Sequence, residues 1–205
     1  MRVECAMHGT RFFLDCDAAA APWARLLMRA MMGLPAEDIC DGYRVEVGFS
    51  LFTLAAEDGG YRILAPDYED GPLLHTTTDL TVALWVLVEQ SAMLRRCGET
   101  GETVRFDDEI VVADGALDAP CISLQRYDDL EAASGWCLEA LAEGEDGEVA
   151  AVPAEGYTAM YAYELLLRRP ETSQVLALPR GYLAIFEESR LACLISGEDE
   201  EIDLN

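Results

Sequence analysis

Asp79-Leu80-Thr81-Val82-Ala83-Leu84-Trp85-Val86-Leu87-Val88-Glu89-Gln90-Ser91-Ala92-Met93-Leu94-Arg95-Arg96 sits near the middle of this 205-residue chain and reads as its clearest helix. Asp79 is a natural N-cap for a helix over Leu80–Arg96. Arg95 and Arg96 fall in the last turn, where the helix dipole favours cations, and Gly98 follows as a stop. Apolar side chains wrap most of the circumference, so the pattern predicts a largely buried helix with Trp85 shielded from water. The small polar run Gly98-Glu99-Thr100-Gly101-Glu102-Thr103 comes next and is the best internal boundary. It divides an N-terminal α+β half, 1–98, from a C-terminal acidic α+β half, 99–205; one continuous domain with a long loop is the alternative.

Strand patterns lie on both sides of this helix. Upstream, Tyr43–Leu54 alternates, with Val45, Val47, Phe49 and Leu51 on one side and Glu46 and Ser50 opposite. Asp58-Gly59-Gly60 then supplies a turn and Tyr61–Ala65 returns. A helix starting near Asp17 carries Trp23, Leu26, Leu27, Ala30 and Met31 at helical spacing, with Pro22 in its first turn and Gly33 after it. Met28, Met31 and Met32 read as core fillers on that helix. Val3–Ala6 and Thr10–Leu14 form two short strands around His8-Gly9.

Downstream, Ile110–Ala113, Cys121–Gln125 and Trp136–Leu141 read as strands. Thr158–Arg168 reads as a helix stopped by Pro170, with a further helical turn near Ser173–Leu176. Gly181–Phe186 and Leu191–Ile195 make a hairpin around Glu187–Arg190. The acidic end, Glu198–Asp203, reads as mobile. The expected class is therefore α+β, with mixed or antiparallel sheets, about three to four helices and no disulfides.

Charge limits the chemistry. The chain holds 39 acidic residues against 14 basic ones, a net of −25, and every basic residue is arginine. Residues 1–98 carry 14 acids and 8 arginines; residues 99–205 carry 25 acids and 6 arginines. Such a field repels nucleic acid and anionic lipid and attracts basic protein surfaces. Without lysine there is no P-loop, no Schiff base and no lysine base. An organism-wide preference for arginine and acid would also explain the composition, though not the asymmetry between the halves.

The acids cluster as Asp107, Asp108 and Glu109, as Asp128, Asp129 and Glu131, and as Glu143, Glu145, Asp146 and Glu148. These ten are the candidate partner-binding residues. Neighbouring carboxylates on a strand point to opposite faces, and the run at 143–148 lacks the ligand spacing of a calcium loop, so no metal site is expected. Seven cysteines, an odd number without a C-x-x-C pair, predict free buried thiols in a reducing cytoplasm. The N-terminus lacks the apolar segment of a signal peptide. His8 and His75 are the only histidines, and a small hydrolase using one of them is the third-ranked reading.

Several short segments carry a family resemblance: Asp79-Leu80-Thr81 leading to Glu89-Gln90, Ser134-Gly135-Trp136, Tyr161-Ala162-Tyr163-Glu164-Leu165-Leu166, and Gln174 to Leu183 (QVLALPRGYL). In these the chain resembles bacterial proteins with an immunity protein 33 type of domain, from polymorphic toxin systems. The resemblance implies a cytoplasmic, non-enzymatic protein without a cofactor, one that binds and neutralises a toxin by stoichiometric occlusion. It does not name the toxin. The shared segments read as structural, with Trp136 anchoring a core and Gly135 allowing close backbone approach. An acidic interaction or structural module without a toxin is the runner-up. The expected partner is a protein, a basic toxin domain, and neither nucleic acid nor membrane; the sequence leaves the oligomeric state open.

Overall fold

A computed structural model describes residues 1–7, 9–130, 132, 134–143 and 149–204. The chain forms two compact units, Met1–Glu89 and Gln90–Asn205. Each is built on a mixed sheet, so the fold is α+β.

In the first unit β1 (Arg2–Met7) and β2 (Thr10–Asp15) form a hairpin, and α1 (Ala21–Met31) follows. Then come β3 (Arg44–Val47), β4 (Ser50–Glu57), β5 (Gly60–Pro66) and the short β6 (Thr76–Thr77). The strand order is β1-β2-β5-β4-β3, with β6 beside β5. Only β2 and β5 run parallel, with Phe12 beside Tyr61. Phe12, Leu14, Phe52, Leu54 and Ile63 are fully buried. Phe13 is buried under three guanidinium groups, those of Arg2, Arg11 and Arg62, which lie 4.9–5.4 Å from its ring centre.

Two expectations here need correction. The alternating run Tyr43–Leu54 is two strands. A tight turn at Gly48-Phe49 places Val47 opposite Ser50, with Gly48 at φ +56°. Because the alternation continues through the turn, periodicity could not reveal it; the glycine was the signal. The buried stripe of α1 is Ala21, Ala24, Leu27, Met28 and Met31, whereas Leu26 is 50% exposed and Met32 49%. The bulky residues suggested a stripe turned away from the true one, because small alanines carry the face that approaches the sheet.

The central helix, α2, spans Thr81–Cys97. The Asp79 carboxylate accepts the Thr81 N–H at 3.0 Å, and Gly98 follows in the left-handed region. Leu80, just before it, and Ala83, Leu84, Val86, Gln90 and Met93 are buried, but Val82 is 44% and Trp85 38% exposed. The helix is therefore not buried all round and Trp85 is not shielded. With apolar residues at nearly every position from 82 to 88, no polar face marked which flank looks outward.

The second unit contains β7 (Glu109–Ala113), β8 (Cys121–Arg126), β9 (Trp136–Glu143), β10 (Val149–Ala151), β11 (Tyr157–Tyr161), α3 (Ala162–Arg168), β12 (Leu183–Glu187) and β13 (Arg190–Ile195). The order is β11-β7-β9-β8-β12-β13, with β10 beside β9, and only β7 and β9 are parallel. One sheet face carries Ile110, Val112, Ile122, Leu124, Trp136, Leu138, Ala184 and Phe186, all buried. Leu165, Leu166, Val175, Leu176 and Leu178, from α3 and the turns after it, complete this core.

The expected helix Thr158–Arg168 is half strand. Tyr157–Tyr161 pairs antiparallel with β7, and the helix starts only at Ala162, where the Glu164 carboxylate reaches back to accept the Tyr161 N–H. Sheet pairing outweighs the local helical pattern in this aromatic, Thr-containing segment. The acidic end is not a free tail either. Ile195 bridges Glu201, the Ile202 N–H donates to the Leu194 carbonyl at 2.8 Å, and Arg96 donates to the Leu204 carbonyl. All seven cysteines are free; Cys16 and Cys137 are buried, Cys40 is exposed, and the other four are half-buried rather than enclosed.

Candidate partner-binding surface

The segments that carry the family resemblance build the second unit from within. The Trp136 indole N–H donates to the Leu176 carbonyl at 3.0 Å, and Ser134 Oγ bonds the Glu109 carbonyl. Gly135 has φ +74°, and a Cβ there would stand 2.6 Å from Arg180 Nη1 and 2.9 Å from the Tyr127 carbonyl oxygen. Sequence reading missed the hub of this network. Arg126 is only 3% exposed and donates to the carbonyls of Ser134, Glu102 and Leu178, with its guanidinium 5.8 Å from the Trp136 ring centre. Burial pushes its pKa down, and Glu102 opposes that. The signal was available: period-two alternation puts Arg126 on the same side as Ile122 and Leu124.

The candidate acids divide into three groups. Asp107 grips the Arg105 guanidinium with bonds of 2.7 and 2.8 Å, and Asp108 accepts the Arg105 backbone N–H at 2.8 Å. Both are thus engaged in shaping the turn before β7. Glu109, Asp128, Asp129 and Glu143 are exposed. Glu131, Glu145, Asp146 and Glu148 lie outside the described residues.

Of the exposed acids, Asp129 belongs to a defined concavity. It lines a hollow of about 430 Å³ with Val111, Tyr127, Leu130, Cys137, Glu139 and Tyr157. The floor is the second face of the sheet, where Val111, Cys137 and Gln125 stand abreast on β7, β9 and β8. The Tyr157 hydroxyl donates to Glu139 at 2.7 Å, which raises the Tyr157 pKa. Cys137 is pushed up to about 11, by burial first and by the Glu139 charge second. A thiol held protonated in this way is no nucleophile at neutral pH. The hollow offers two carboxylates, two phenols and apolar floor, the chemistry of a surface that receives cationic and aromatic groups. Glu139 and Tyr157 were not singled out from sequence, because neither stands in an acidic run.

His75 lies in the first unit, exposed, with Nδ1 3.1 Å from the Asp70 carboxylate. His8 lies outside the described residues. Among the described residues no group of three His, Cys, Asp or Glu side chains is placed to hold a metal ion, and no helix is long and apolar enough to cross a membrane.

A family model described as Imm33-like domain matches residues 89–194, more than half of the chain and almost the whole described part of the second unit. No curated protein and no solved structure matches the chain.

Proposed function

Because this chain belongs to the Imm33-like domain family, we propose that it is a cytoplasmic immunity protein that neutralises a cognate bacterial toxin by occluding it one to one. The family match carries this reading. The matched residues 89–194 hold 21 of the 39 acids, and a basic toxin domain is the partner that such a surface steers and holds. Asp128, Asp129 and the concavity around Glu139 and Tyr157 form the centre of the proposed contact. Asp107 and Asp108 act mainly through the turn they hold.

The test is titration of the toxin domain encoded beside this chain's gene. Toxin activity should fall linearly to zero at one equivalent, with a 1:1 complex by light scattering. Neutralising Asp128 and Asp129 to Asn should slow association at low salt, while Glu69→Asn with Asp70→Asn should not. The difference should vanish as ionic strength shortens the screening length below about 8 Å. Neutralisation by much less than one equivalent would indicate turnover and overturn the occlusion reading.

A further inference from the structure

The two edges of the second sheet are treated differently by the chain. At β13 the C-terminal residues cover the last part of the edge, through the Ile195–Glu201 bridge and the Ile202 N–H on the Leu194 carbonyl. At β11, among the described residues, no strand pairs with the outer edge. Tyr157, Thr158, Ala159 and Tyr161 are all exposed, and the segment Tyr-Thr-Ala-Met-Tyr has none of the prolines or charges with which edges are usually blunted.

The phase of the ladder shows which groups are free. The Asp114 N–H bonds the Gly156 carbonyl at 3.0 Å at one end, and the Ala162 N–H bonds the Asp108 carbonyl at 2.9 Å at the other. Bonded and non-bonded pairs alternate in an antiparallel ladder. Thr158 and Met160 therefore turn their backbone groups towards β7, and Tyr157, Ala159 and Tyr161 turn theirs away. The Tyr161 N–H is taken by Glu164 at 2.8 Å. What remains is the N–H and C=O of Tyr157 and of Ala159, in the spacing that a docking strand needs. Tyr157 and Tyr161 project on the same face of the strand, two residues either side of Ala159. The charge around this strand is mostly negative: Glu155 precedes it, Glu164 follows it, Glu109 and Asp114 lie on and just after β7, and Glu139 reaches Tyr157 from β9, while Arg105 in the turn before β7 is paired with Asp107.

We infer that β11 is a strand-addition site, which takes an extended, basic segment of the partner protein as an eighth strand of the sheet. This rests on the immunity reading and adds to it the mode of contact. Backbone bonds to Tyr157 and Ala159 give affinity, and the flanking carboxylates select arginine or lysine on the incoming strand.

The experiment uses the full chain and the neighbouring toxin domain, inactivated by substitution. Amide hydrogen exchange should show the Tyr157 and Ala159 amides fast in the free protein and protected in the complex. Ala159→Pro removes an N–H that points away from β7, so the ladder persists, yet it should weaken the complex about tenfold or more. Ala159→Arg, which keeps the backbone intact and adds a cation, should do the same, and Ala159→Ser should not. A complex in which both amides still exchange freely and the Pro and Arg variants bind like the parent overturns the inference and leaves the immunity reading standing. No complex at all overturns both. A free protein that is already a dimer, with both amides protected, assigns the edge to a second copy and overturns it too.

Discussion

Replacing Arg126 by Met tests whether the guanidinium holds the second unit together. Two of its acceptors, the Ser134 and Leu178 carbonyls, make buried bonds, while Glu102 is largely open to water. Methionine fills much of the volume but donates nothing. Each buried acceptor left without a donor costs about 1–3 kcal/mol, giving about 2–6 kcal/mol for the pair. Removing the charge also removes its desolvation cost, and Glu102, with its side chain 47% exposed, is not stranded by the change. A net loss of about 2–3 kcal/mol is expected. Arg126→Lys should fall between parent and Met, since one ammonium cannot span carbonyls from three segments. Trp136 is the only tryptophan of the second unit. In a background with Trp23→Phe and Trp85→Phe, its fluorescence during urea unfolding reports this unit alone. A loss for Arg126→Met below about half a kcal/mol at unchanged m-value would mean the carbonyls find water, and would refute the hub argument.

Other perturbations follow from the same geometry. Leu84→Ala, at a site 1% exposed, should cost about 2–5 kcal/mol in chemical denaturation, whereas Trp85→Ala, on the open flank, should cost less than about 1 kcal/mol. The guanidinium groups of Arg2 and Arg62 hold the Asp15 carboxyl below its ordinary range, so this pairing stabilises the fold above the unfolded pKa of about 3.9 and is lost as pH falls through the depressed folded value. Asp15→Asn should therefore be less stable than the parent at pH 7, and the difference should shrink as pH falls below about 3.9, as thermal melts across pH will show. Thiol titration of the native protein should label Cys40 first, and Cys16 and Cys137 only on unfolding; early reaction of Cys137 would contradict its burial.

Local signals in the sequence disclosed much of the fold. Asp79, Gly98, the turn at Asp58-Gly59 and the Glu188-Ser189 hairpin each act through their own backbone preferences, and the structure has them where the pattern put them. Errors came where tertiary pairing decided. Tyr157–Tyr161 became a strand because β7 offered a partner, and α1 turned its alanines inward because the sheet lay close. The surface was read less completely. Runs of acid drew attention to 107–109, where two of three carboxylates are engaged at home. Glu139 and Tyr157 are far apart in sequence, and only the pairing of β9 and β11 about β7 brings them to one hollow.

The covered edge at β13 has a consequence of its own. Sheets that add strands at both ends can grow without limit, as fibres do. Here the end at β13 is partly covered within the chain by residues 201–202, and the end at β11 is open among the described residues. A single addition at β11 occupies that end, which limits edge-to-edge stacking of this sheet. Two copies meeting through β11 would close on themselves as a pair and stop. The chain thus pairs one open strand edge with one that its own C-terminal residues partly close.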